Sequence, residues 1–166
     1  MTSAVSHHLS EILLAKEDKA SSAGRELSHG AGWDDAVALA RSWKVTPQLF
    51  SRIRNLGLVL PPAASVALRR EFVRVYGQST VHADQAVKAI RALQQKGIPV
   101  AVFKGAASLA WLYSDPKLRT LGDADLLVQP QDLEKALECL EACGLRREGS
   151  GSFAEFVHFR IVGRSC

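Results

Sequence analysis

The chain has 166 residues, 47% of them apolar and 23% charged, with a formal net charge of +4. That is the length of one domain, or of a small domain with an appendage, and its apolar content excludes a disordered chain. No apolar run approaches the roughly 18 residues of a membrane span, and the mild basic excess suits an anionic partner without demonstrating one.

At the N-terminus, the apolar stretch of MTSAVSHHLSEILLAKEDK is broken by Glu11, Lys16 and Glu17, so no signal peptide is expected. The spacing predicts a first helix from Ser6 to about Ala20, followed by a loop of turn formers, SSAGRELSHGAG. Asp34 and Asp35 open a second helix, where the helix dipole favours acids. Thr46 is placed to cap a third, with Pro47 in its first position and a stop near Gly57.

After Pro61-Pro62 comes the longest periodic stretch. Leu68, Phe72, Val75, Ser79, Ala83, Ala86, Ile90 and Leu93 recur every three or four residues, a stripe along a helix reaching about Gln95. Such a stripe ordinarily faces its own core; a coiled-coil partner is the sharper alternative. Gly77 is a candidate kink and Gly97 a C-terminal stop.

From Ile98 the texture changes to alternating strand and helix. Residues 98–103 form a β-rich run ended by Lys104-Gly105, and a short helix follows from Ala106 to Tyr113. A polar link leads to a second strand, 123–128, and then a helix from Asp132 to Cys143 stopped by Gly144. Phe153 to Val162 suits a third strand. The expected organisation is a helical region over 1–96 and a strand-and-helix core over 97–166.

The chemistry is concentrated between residues 98 and 128. Side chains alternate along a strand, so Asp123 and Asp125 are expected on one side, about 7 Å apart, with Ala124 opposite. Two carboxylates so placed suit Mg²⁺ or Mn²⁺, with water and phosphate oxygens filling the other positions. Leu126-Leu127-Val128 would anchor that strand in a core. Upstream, Gly105 allows close backbone approach to a phosphate, and the free N–H groups of the following first turn, from Ala106, point toward it. Lys104 and Arg119 are candidate cations for phosphate charge. Donors on one side and metal on the other are what phosphoryl or nucleotidyl transfer needs. Each piece alone is common: Asp-x-Asp often marks a solvated strand start, and a strand-Lys-Gly-helix junction is often a plain turn.

The stretch IPVAVFKGAASLAWLYSDPKLRTLGDADLLV resembles a branch of the DNA polymerase beta-like nucleotidyltransferase superfamily, whose bacterial members are called uncharacterised nucleotidyltransferases. The resemblance is carried by Lys104-Gly105, Tyr113, Arg119 and Asp123-Ala124-Asp125-Leu126-Leu127-Val128, and the lead-in AVALARSWKVTPQLFSRI is similar as well. It implies an α+β fold, a small mixed β-sheet backed by helices with a helical N-terminal extension. It also implies transfer of a nucleoside monophosphate from an NTP to a hydroxyl acceptor with Mg²⁺. On that analogy Asp123 and Asp125 are catalytic metal ligands, Gly105 and Ala106 face the triphosphate, and Lys104 and Arg119 neutralise it. The acceptor is left open among a small molecule, a protein and RNA.

Two departures from the family pattern bear on activity. The turn carries Gly105-Ala106 where Gly-Ser or Gly-Gly is usual, so a hydroxyl contact is missing. The superfamily also takes a third carboxylate from a later strand; FAEFVHFRIVGRSC resembles the approach to it, and Glu155 does not suit the role. The chain thus reads as a shortened version of a larger protein, and a catalytically incomplete, antitoxin-like binding relative is the alternative to an active enzyme. Apolar surface left by such shortening would favour a homodimer.

Other features have structural readings. Cys139 and Cys143, four apart, lack further metal ligands nearby, and the three cysteines, without Cys-x-x-Cys, fit reduced thiols of a cytoplasmic chain. His7 and His8 read as solvated terminal residues, and Trp33, Trp43 and Trp111 as core anchors. Arg69, Arg70 and Arg74 read as a solvated helix face, with nucleic-acid contact as the rival.

Overall fold

The computed structural model describes residues 2–28, 32–113, 115–148 and 158–161. The chain packs as two compact units, Met1–Val81 with Leu109–Gly122, and His82–Ser108 with Asp123–Cys166. Its class is α+β with a helical lead-in, as the resemblance implies.

The first unit is built from α1 (Thr2–Leu14), α2 (Glu17–Ser28), α3 (Gly32–Ser42), α4 (Thr46–Asn55) and the first part of α5 (Pro62–Gln95). Its core joins Leu9 and Ile12 of α1, Ala23 and Leu27 of α2, Trp33, Val37 and Ala40 of α3, and Leu49 and Ile53 of α4 to Leu68 of α5. The expected loop over SSAGRELSHGAG is instead helical through Ser28. Ala20, Ala23, Gly24 and Leu27 recur at helical spacing and are all buried, so packing overrides the turn propensities of Ser and Gly. Leu58 packs closely on Gly24, and a Cβ there would lie 2.6 Å from Leu58 Cδ1, so a larger residue would displace that side chain.

Arg52 of α4 ties two ends together. Its Nε donates to the Ile12 carbonyl at 3.1 Å and its Nη2 to that of Ala15 at 2.6 Å, serving carbonyls that the end of α1 leaves open. Thr46 does not cap α4. The cap position is Val45, without a side-chain hydrogen bond, and Thr46 is buried as the first helical residue. Gly57, at φ +62°, turns the chain after the helix.

Of the three tryptophans only Trp33 anchors a core; it is 1% exposed and its Nε1 donates to Ser28 Oγ at 3.0 Å. Trp43 and Trp111 are exposed, so helical spacing alone misassigned them. His7 and His8 are not simply solvated, since both lie beside Glu11, His7 at 3.1 Å.

Helix α5 has the expected extent, and Gly97 turns the chain after it at φ +70°. Within the first unit, the stripe buries Leu68, Val75 and Ser79, whose hydroxyl accepts the Leu121 backbone N–H at 3.0 Å. Glu71, outside the expected stripe, is also buried and gripped by Arg74.

In the second unit, β1 (Val100–Phe103) leads into α6 (Lys104–Trp111), whose residues to Ser108 belong here. Next come β2 (Asp125–Val128), α7 (Leu133–Ala142), β3 (Leu145–Glu148) and β4 (His158–Ile161). Strands β1 and β2 pair antiparallel, as do β3 and β4. The core gathers Ala89, Leu93, Ile98, Ala136 and Leu140, with Val100, Leu126 and Val128 packed against it. Strand β3 was not expected, because Leu-Arg-Arg-Glu carries no apolar alternation. The expected third strand is described over His158–Ile161; the rest of that segment, with Glu155, and Cys166 lie outside the described residues.

Candidate functional site

The site grows from the β1–β2 register. Val100 pairs with Val128, Val102 with Leu126, and Phe103 with Asp125. Because strand side chains alternate, Leu126 and Val128 share the face that packs on the core, leaving Asp125 and Leu127 on the other. Leu127 is accordingly 61% exposed, so it does not anchor the strand as its apolar neighbours do. The pairing also puts the first residue of β2 beside the last residue of β1, so the acidic strand start and the Lys104 turn are neighbours.

At that turn the chain passes directly from strand to helix. The residue that absorbs the change of direction is Lys104, at φ 54°, and not Gly105, which is absent from the positive-φ positions among the described residues. A left-handed lysine is a strained placement, of the kind that concentrates at binding sites. Its Nζ lies 3.1 Å from Asp125 Oδ1 as an ion pair and 5.3 Å from the centre of the Phe103 ring. The N–H groups of Gly105 and Ala106 fall in the first turn of α6, where they have no partner within the helix. Ser108 carries no mark in the sequence motif; its hydroxyl donates to the Lys104 carbonyl at 2.8 Å and braces the turn. The signal available was its position four residues on, the spacing of a hydroxyl bonding back along a helix.

Of the other residues expected here, Asp123 is exposed and precedes β2, which starts only at Asp125. The two acids therefore do not share one strand. Arg119 belongs to the first compact unit, where its Nε is buried without a hydrogen-bond partner among the described residues. Among the described residues no three His, Cys, Asp or Glu side chains stand grouped for a metal. Cys139 and Cys143 have no such companions, and burial pushes the Cys139 thiol up, with the neighbouring Cys143 adding to it, which opposes thiolate formation. No helix among the described residues is long and apolar enough to cross a membrane.

A family model described as "Uncharacterised nucleotidyltransferase" matches residues 29–161. The chain belongs to that family. The match takes in the helices from α3 onward, the Lys104 turn and the Asp125 strand, so the nucleotidyltransferase likeness covers the helical lead-in as well as the site. The function is thus nucleotidyltransferase-like in general type. No curated protein and no solved structure matches the chain.

Proposed function

We propose that this protein transfers a nucleoside monophosphate from an NTP to a hydroxyl acceptor, whose oxygen bonds to the α-phosphorus as pyrophosphate leaves and the hydroxyl proton passes to solvent, with a divalent cation, Mg²⁺ or Mn²⁺, held by Asp123 and Asp125. The observation that supports it is the pairing of Phe103 with Asp125, which sets a cationic helix start against an acidic strand start. The donor set fits Mg²⁺, which binds through one or two carboxylates and leaves its other positions to water and phosphate. Asp125 is half-buried and Asp123 exposed, so one carboxylate is held and the other is open to solvent. When bound, the cation would neutralise triphosphate charge and favour ionisation of the acceptor hydroxyl.

The chain's own residues have distinct tasks. The first-turn N–H groups of Gly105 and Ala106 bind phosphate oxygens. Lys104 exchanges its Asp125 partner for phosphate when nucleotide arrives, and Asp125 is released toward the cation. Arg119, which lies in the first compact unit, is not part of this assignment.

The test is a titration of Mg²⁺ or Mn²⁺ with an NTP, followed by incubation with labelled NTP and candidate acceptors. Binding that Asp123→Ala with Asp125→Ala abolishes, and label transfer from the NTP, are the expected results. Unaltered binding by the double variant overturns the assignment of the site. Binding without transfer to any acceptor selects the catalytically incomplete relative.

A further inference from the structure

The first unit carries a second feature that nucleotidyl transfer at Asp125 does not use. Three aromatic rings lie parallel across α4 and α5. Phe50 and Phe72 stack with centroids 4.2 Å apart and planes at 11°, and Phe72 and Tyr76 continue at 6.0 Å and 4°. The ladder leads outward: Phe50 packs against the buried core, and Tyr76 is 38% exposed. These rings help line a cleft of about 400 Å³ together with Arg54 and Lys117. A second cleft of about 330 Å³ shares Phe50 and Arg54 and adds Arg69.

The charge along this double cleft is one-sided. Arg54, which lies 6.0 Å from the centre of the Phe50 ring, Arg69 and Lys117 form no ion pair among the described residues. The one acid among the lining residues, Asp115, accepts the Lys117 backbone N–H at 2.9 Å. Elsewhere on α5 the pattern is different, since Arg74 is spent on Glu71 and Gln78. The stack turns Phe50 and Phe72 toward each other and leaves Tyr76 at its exposed end, so a base can stack at Tyr76 while its phosphates meet the unpaired cations, the recognition chemistry of single-stranded nucleic acid. Two joined open clefts suit successive residues of a strand; a free nucleotide is ordinarily held in a more enclosed pocket.

We propose that the face formed by Phe50, Phe72 and Tyr76 with Arg54, Arg69 and Lys117 binds single-stranded nucleic acid. This binding is independent of the catalytic reading.

The experiment is fluorescence anisotropy of the full chain with a labelled ten-nucleotide RNA or DNA strand, over a series of salt concentrations. Tyr76→Ala is expected to weaken binding roughly tenfold, the usual loss of one stacked base. Arg54→Gln with Lys117→Gln is expected to flatten the slope of log affinity against log salt by about 1.4, or about 0.7 for each phosphate no longer neutralised. Circular dichroism spectra matching the parent establish that these variants fold. Asp123→Ala with Asp125→Ala should leave strand binding intact, so failure of the catalytic reading and failure of this one are distinguishable. No strand binding, unchanged affinity in Tyr76→Ala, or a mononucleotide that displaces the labelled strand as effectively as unlabelled strand does would each overturn the proposal.

Discussion

Lys104 and Asp125, 21 residues apart in sequence, meet at 3.1 Å across the open end of the β1–β2 pair. The lysine side chain is 63% exposed and the aspartate 29%, so solvent screens their attraction, and such pairs contribute no more than about 1 kcal/mol. A pair this weak is easily exchanged. Lys104→Met should therefore raise Mn²⁺ affinity in the absence of nucleotide, by at most about fivefold, because the carboxylate no longer has a competing cation. The same variant should weaken NTP binding. Isothermal titration of each ligand checks both directions, and unchanged affinity for both would show that Lys104 is not part of the site.

The backbone of Lys104 yields a separate expectation. At φ 54° a side chain costs roughly 1–2 kcal/mol that glycine does not incur. Lys104→Gly and Lys104→Ala both remove the ammonium group, yet only the first relieves the backbone. The glycine variant should be more stable than the alanine variant by about 1 kcal/mol in urea unfolding, less the greater entropy of its unfolded chain. Both should bind NTP more weakly than the parent. Equal stabilities would mean that the strain of the left-handed turn is no larger than the entropy glycine adds to the unfolded chain.

What was legible in the sequence follows from how local each signal is. The extent of α5 could be read because its apolar spacing repeats along its length and Gly97 ends it. The Lys104 and Asp125 neighbourhood could be read because two short strands and one turn bring it together. The α2 helix could not: its turn-forming Ser and Gly residues are held helical by contact with other helices, notably Gly24 against Leu58. Trp43 and Trp111 were misread for the converse reason, since helical spacing does not say which face has a neighbour. The start of β2 fell two residues later than expected, because pairing with β1 ends at Phe103 and leaves Asp123 no partner strand. The left-handed lysine had no signal, as a Gly beside it is the residue that normally takes such a conformation.

Arg52 adds a polar tie to the apolar packing that joins the lead-in helices. It serves two carbonyls at the end of α1 from a distance of 37 to 40 residues in sequence. Arg52→Ala leaves both acceptors without that partner, and hydrogen bonds from a charged donor are worth about 1.5–3 kcal/mol. A loss of that size is expected in the unfolding free energy from urea denaturation. Arg52→Lys should recover less than half, since a single ammonium cannot reproduce the planar fork. A change below about 0.5 kcal/mol for Arg52→Ala would place the stability of that junction in apolar packing alone.

Glu71 sets an acid limit on the first unit. Its carboxylate is nearly inaccessible, held by Arg74 through Nε at 3.1 Å and Nη2 at 2.5 Å, with Arg41 at 3.4 Å. The Arg74 hydrogen bonds hold the carboxyl below the usual glutamate range, against the opposing effect of burial, with the charges of Arg74 and Arg41 adding to the lowering. A group whose pKa is lower folded than unfolded stabilises the fold above the unfolded value, near 4.3, and that contribution disappears as pH falls through the folded value. Glu71→Gln cannot titrate and keeps its shape, so other carboxylates cancel when the two proteins are compared. The parent should be the more stable at pH 7, and in thermal unfolding the difference should shrink steadily as pH falls below the unfolded value and through the lowered folded one. A difference that stayed constant over that range would mean that Arg74 holds Glu71 by shape and not by charge.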